Sequence, residues 1–156
     1  MSAPNRNVTH AMFAIQRTFP QSPARVFRAF ADPKAKAKWF HGPAEEWSQE
    51  TSEMDFRIGG RERSVGQLHS DAIPHVFNAI YQDIVADQRI VFSYDMEIGA
   101  QRISVSLTTI ELSPEGEGTR MLFTEQGAYL DGYDDAGARE RGTRGLLDQL
   151  ARSLMD

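Results

Sequence analysis

From Val8 to Phe19 the chain alternates. Ala11, Phe13, Ile15 and Phe19 share one parity, the mark of a strand buried on one face. The period then lengthens. In PARVFRAF, Val26, Phe27 and Phe30 form an apolar stripe at helical spacing. Ser22 stands where an N-cap belongs, and Pro23 takes the first helical position. Asp32-Pro33 repeats that signal and predicts a second short helix to about Trp39. Beyond Gly42-Pro43 the period returns to two. Met54, Phe56 and Ile58 alternate, and Gly59-Gly60 provide the positive φ of a tight turn into a strand over Arg61–Leu68. Further strands are predicted at about Val76–Val85, at Ile90, Phe92, Tyr94 and Met96, from Ile103, Val105 and Leu107 onward, and at Met121–Gln126. A last helix spans Ala136–Met155, with Asp134 or Asp135 as its cap.

The order is therefore strand, two helices, about six strands and a long helix, an α+β arrangement. Residues 1–7 are polar and read as a loose terminus, leaving 8–156 as one domain. A sheet of about seven strands must cover one face. The terminal helix is the only long element left to do it. On a helical wheel Leu146, Leu147, Leu150 and Leu154 share a face, and Arg139 and Thr143 continue that face toward the N-terminal end. A solid core would resist a buried, unpaired cation. The pattern instead predicts a helix anchored by its leucine end, with its polar end bordering a pocket. Gly142 and Gly145 flank the leucine face. A close second subunit, making a homodimer, is one account of them, and tolerated surface glycine is the other.

Four stretches, TFPQSPARVFRAFADPKAKAKWF, MDFRIGG, YQDIVADQRIVFSYDM and GTRGLLDQL, resemble in order the landmarks of the Hsp-90 ATPase activator homologue-like family. That family belongs to the START/polyketide-cyclase (SRPBCC) superfamily, and the likeness to its single-domain bacterial type runs from Val8 to Leu154. It implies a helix-grip fold, with a curved antiparallel sheet wrapped around the terminal helix and a cavity between them. It also implies a lipophilic ligand, as in other superfamily members. The eukaryotic activators carry a separate N-terminal domain that engages the chaperone. A chain of 156 residues leaves no room for one, so chaperone activation is not expected.

Bulk chemistry narrows the partners. Seventeen cationic against 22 acidic residues leave a net charge of −5, without the basic footprint that nucleic acid or an anionic membrane requires. No apolar run approaches the ~20 residues of a membrane span. There is no cysteine, which removes disulfides, thiol catalysis and thiolate metal sites, and a reducing cytoplasm is the default location. Neither a phosphate loop nor a nucleophile elbow nor a zinc signature appears, so no cofactor or metal is expected.

The predicted pocket lining is aromatic: Phe27, Trp39, Phe40, Phe56, Tyr81, Phe92, Tyr94 and Phe123. The helix contributes Arg139, Thr143, Leu146, Leu147 and Leu150. For any single ring the plainer account is core packing. Tyr81 and Tyr94 stand out, because a buried phenol needs a partner. For Arg139 the plainer account is pairing with a carboxylate such as Glu125. Asp55 and Arg57 are expected to pair across strands. Lys34, Lys36 and Lys38 read as a solvated face. His10, His41, His69 and His75 read as surface or loop residues, with His41 the one to test as a proton donor. The DGYDD stretch fails as a calcium loop, since its twelfth position is Gly142. The leading reading is a non-enzymatic binder of a small lipophilic or aromatic molecule. A cyclase- or hydrolase-like enzyme using Glu125 and a tyrosine, and a protein-interaction module, are the alternatives.

Overall fold

A computed structural model describes residues 6–156, so residues 1–5 of the expected loose terminus lie outside the described residues. Arg6 and Asn7 are tethered: Arg6 pairs with Asp131 at 2.9 Å, and the Asn7 amide donates to the same carboxylate. Seven strands follow in chain order: β1 (Val8–Phe19), β2 (Trp47–Met54), β3 (Arg61–Leu68), β4 (Pro74–Val85), β5 (Arg89–Ile98), β6 (Gln101–Glu115) and β7 (Gly118–Leu130). They form one antiparallel sheet in the order β1-β7-β6-β5-β4-β3-β2. From β2 to β7 each strand pairs with the next, as short turns demand. β1 closes on β7 along its whole length, from Val8 opposite Leu130 to Phe19 opposite Thr119.

Because β1 and β2 lie at opposite edges, the chain between them must cross the sheet. It does so with α1 (Pro23–Ala31) and α2 (Pro33–Ala37). Both begin as the sequence dictates. Ser22 Oγ accepts the Arg25 amide, and the Asp32 carboxylate accepts the Lys34 amide. The last helix, α3 (Ala136–Ser153), is capped by Asp135, which accepts the Ala138 amide at 2.8 Å. α3 lies on the concave face of the sheet. Leu147, Leu150 and Leu154 enter a core with Ile15, Phe19, Ile110 and Met121. The fold is a helix-grip arrangement. Two polar ties fix α3 in place. Arg17 on β1 donates to Asp148 at 2.7 Å, and Gln149 donates to the carbonyls of Trp39 and His41 at 2.7 and 2.8 Å.

Three local expectations change. β2 ends at Met54, so Phe56 and Ile58 belong to the turn, and Ile58 is exposed. Asp55 and Arg57 therefore bond to each other within that turn at 2.7 Å and do not pair across strands. Gly59 takes φ +82°, whereas Gly60 is required by close approach, since a Cβ there would meet the Asp55 carbonyl. On β6 the inward parity belongs to Ser104, Ser106, Thr108, Ile110 and Leu112. Val105 and Leu107 face solvent.

Candidate functional site

The inversion on β6 explains the shape of the interior. Beneath the leucine end of α3 the sheet presents Ile110, Leu112, Met121 and Phe123. Beneath its N-terminal end it presents Ser104, Thr108, Glu125 and Tyr94. Glu125 arrives there by parity, because Met121, Phe123, Glu125, Gly127 and Tyr129 all point inward on β7. Packing therefore closes only the leucine end. At the other end the elements stand apart around a cavity of about 760 Å³. Its exposed lining residues, Pro43, Ala44, Gln49, Gly142 and Gly145, mark the mouth, which lies between α3 and the segment leading into β2.

Of the residues named from sequence, Trp39, Phe40, Phe92, Tyr94, Phe123, Arg139, Thr143, Leu146 and Leu147 line this cavity. Four others do not. Phe27 and Phe56 stack edge-on at 5.7 Å, and Phe56 meets Tyr81 at 4.9 Å. This cluster belongs to the core behind the wall, because the turn after β2 folds Phe56 over α1 and β4. Leu150 is fully buried among the leucine-end contacts. The sequence reading missed Phe30, Phe77 and Trp47, as well as the small residues Ala138, Gly142 and Gly145, whose lack of bulk leaves the mouth open. His41 and His75, read as surface or loop residues, also line the cavity. The His41 nitrogens approach the carbonyls of Gly42 and Lys38 at 2.8 and 3.2 Å. His75 packs edge-on against Trp47 at 4.7 Å. Burial lowers the His75 pKa.

The polar end is a closed network. Arg139, 11% exposed, donates to Tyr94 Oη at 2.9 Å, Ser104 Oγ at 2.7 Å and Asp134 at 2.9 Å, and lies 3.6 Å from Glu125. Its guanidinium carbon is 5.6 and 5.5 Å from the ring centroids of Tyr94 and Tyr129. The Tyr94 hydroxyl donates to Glu125 at 2.8 Å, and Thr108 donates to the other carboxylate oxygen at 3.0 Å. Thr143 spends its hydroxyl on the Arg139 carbonyl. Burial pushes the Glu125 carboxyl above its ordinary range, outweighing the pull of Tyr94, Arg139 and Thr108. Burial also drives the Tyr94 phenol far above its usual value, reinforced by the Glu125 charge.

The largest departure from expectation is Lys36. It is 6% exposed, where a solvated stripe was anticipated. Its Nζ donates to Glu62 Oε1 at 2.7 Å, and that oxygen also accepts the Tyr81 hydroxyl. The cause is the helical period of α2. Lys34, Lys36 and Lys38 alternate like strand residues, but on a helix they scatter around the axis. Lys36 shares its face with Trp39 and Phe40, three and four residues on. That spacing was the available signal.

Residues 20–155 match the sequence profile of the family described as Activator of Hsp90 ATPase homolog 1-like protein. An uncharacterised protein from Rhizobium leguminosarum is similar at 43% identity and a TM-score of 0.91, over 97% of this chain and 99% of its own. The Mll3558 protein from Rhizobium loti is 50% identical with a TM-score of 0.85, over 94% of this chain and 99% of its own. An AHSA1-like protein from Aeromonas hydrophila has a TM-score of 0.69 at 19% identity, over 93% and 92% of the two chains, and speaks to the fold alone. Among curated proteins, none matches the chain. No helix among the described residues is long and apolar enough to cross a membrane.

Proposed function

The chain belongs to the Activator of Hsp90 ATPase homolog 1-like family, and from that premise we propose that it binds a small lipophilic or aromatic molecule between sheet and terminal helix. The observation that carries this reading is the cavity: about 760 Å³, walled by Trp39, Phe40, Phe77, Phe92 and Phe123, with a mouth of small residues. That volume and lining suit a small organic ligand. A ligand hiding roughly 300 Å² of apolar surface gains about 7 kcal/mol before the cost of its immobilisation. A sealed core without a cavity would have favoured the interaction module, and the cavity favours binding instead.

The enzyme reading keeps one observation in its favour: a buried carboxylate, Glu125, within hydrogen-bond reach of Tyr94 at 2.8 Å. Their bonding argues for structure. The phenol proton is held by Glu125, and the phenol oxygen accepts from Arg139. The carboxylate is the counter-ion of a buried guanidinium. Binding without chemistry accounts for every one of these bonds.

Two measurements test the proposal. Native mass spectrometry of protein purified from its own host should show a co-purified small molecule. Neutral N-phenyl-1-naphthylamine should brighten with one-to-one stoichiometry on wild type, and should fail to do so on Gly142→Phe/Gly145→Phe, whose rings would occupy the mouth. No brightening on wild type, or equal brightening on both proteins, rejects the proposal.

A further inference from the structure

Within the cavity the two polar ends differ. At the α3 end Arg139, Glu125, Tyr94 and Thr143 are spent on one another. At the α2 end the Lys36 ammonium has three N–H donors and, among the described residues, one oxygen partner, Glu62. Glu62 and Tyr81 stand behind the cavity wall and fix the position of the ammonium. Lys36 is itself part of that wall. Its other neighbours are ring faces: Nζ lies 4.4 Å from the Phe40 centroid, 5.8 Å from Phe77 and 5.9 Å from Phe92. All three rings line the cavity. A π face partners a buried cation less strongly than an oxygen does. The ammonium thus retains donor capacity directed at the space a ligand would fill.

Charge decides what kind of oxygen fits. Lys36 is paired with Glu62, and Arg139 with Asp134 and Glu125, so neither cation lacks a counter-charge. A ligand bringing another negative charge finds neither cation free to balance it. A neutral acceptor meets only the unspent donors. We propose that Lys36 Nζ is the polar anchor of the cavity, and that the ligand is a neutral lipophilic molecule whose carbonyl or comparable oxygen docks there, its body packed among Phe40, Phe77 and Phe92. This rests on the binding function proposed above and specifies its ligand class.

The test uses three naphthalenes of one shape: 2-acetylnaphthalene with a neutral acceptor, 2-isopropylnaphthalene with none, and 2-naphthoate with a charge. Each displaces N-phenyl-1-naphthylamine from wild type and from Lys36→Met/Glu62→Gln, which removes the ion pair as a unit and leaves no buried carboxylate without its cation. The ketone's affinity relative to the hydrocarbon should fall about tenfold in the double variant, as for loss of a hydrogen bond from a charged donor. Naphthoate should bind wild type less well than the ketone. An unchanged ratio, with the hydrocarbon still displacing the probe, removes Lys36 as anchor and leaves lipophilic binding standing. Tighter binding of naphthoate overturns the neutral class. Failure of all three to displace the bound probe from wild type brings down the anchor, whereas failure of the probe itself to bind brings down the binding function. Should the double variant not fold, the infrared carbonyl stretch of 2-acetylnaphthalene bound to wild type decides. It should move to lower wavenumber than in alkane solvent, and an unshifted band overturns the anchor.

Discussion

Replacing both Gly142 and Gly145 by alanine should make this protein more stable while weakening the proposed ligand binding. Both glycines are exposed, lie inside α3 and line the cavity mouth. A Cβ built at either position meets no heavy atom within 4 Å. Glycine in an exposed helix interior costs about 1 kcal/mol relative to alanine, through backbone entropy. With no steric penalty to subtract, the pair should add about 2 kcal/mol. For a chain of this length that raises the melting temperature by roughly 4–8 °C. Circular dichroism melts of the two single variants and the double variant, with urea titrations for the free energy, check the figure. The two methyl groups would add bulk at the mouth, so N-phenyl-1-naphthylamine should bind the double variant less tightly, a gain in stability at the expense of the proposed binding. A melting temperature that stays level or falls would refute the reasoning. It would mean that another body, such as a second copy of the chain, already covers these positions in solution.

Two further outcomes follow from the interior. Glu125→Gln should alter the pH profile of stability. Burial holds the folded carboxyl above its ordinary 4.5, so its contribution is full below the unfolded pKa and is lost as pH rises through the folded one. Wild type should thus lose stability relative to the variant as pH climbs from about 4 toward neutrality, and a flat or rising difference in urea titrations would contradict the assignment. Gly127→Ala should destabilise by about 1–3 kcal/mol, because its Cβ would lie 2.9 Å from the Tyr129 ring, which is 2% exposed and faces Arg139. An unchanged urea midpoint would show that the ring moves aside freely.

Much of the frame was written locally. The parity of Phe13, Ile15 and Phe19, the caps at Ser22, Asp32 and Asp135, and the leucine end of α3 depend on neighbours within a turn or two of chain, so sequence alone determined them. The split character of α3 was equally legible, since Arg139 and Thr143 fall on the leucine face by helical period. Which rings line the cavity and which pack behind it was not. Phe56 and Phe92 are both apolar and alternate alike, and only the turn after β2 decides that Phe56 leaves the wall.

The tertiary structure also decided which face of a periodic element turns inward and what meets it there. On β6, Val105 and Leu107 satisfied the apolar pattern, yet Ser104, Ser106 and Thr108 hold the inner face, where Thr108 bonds Glu125 and Ser104 bonds Arg139 beneath α3. Lys36 could be buried only because Glu62, 26 residues away, and Tyr81 beyond it converge on its ammonium. Periodicity states which residues share a side. The cost of burying a charge or an unpaired hydroxyl is set by partners from distant segments, and a cavity is the volume those segments leave between them, so both exist only once the chain has folded.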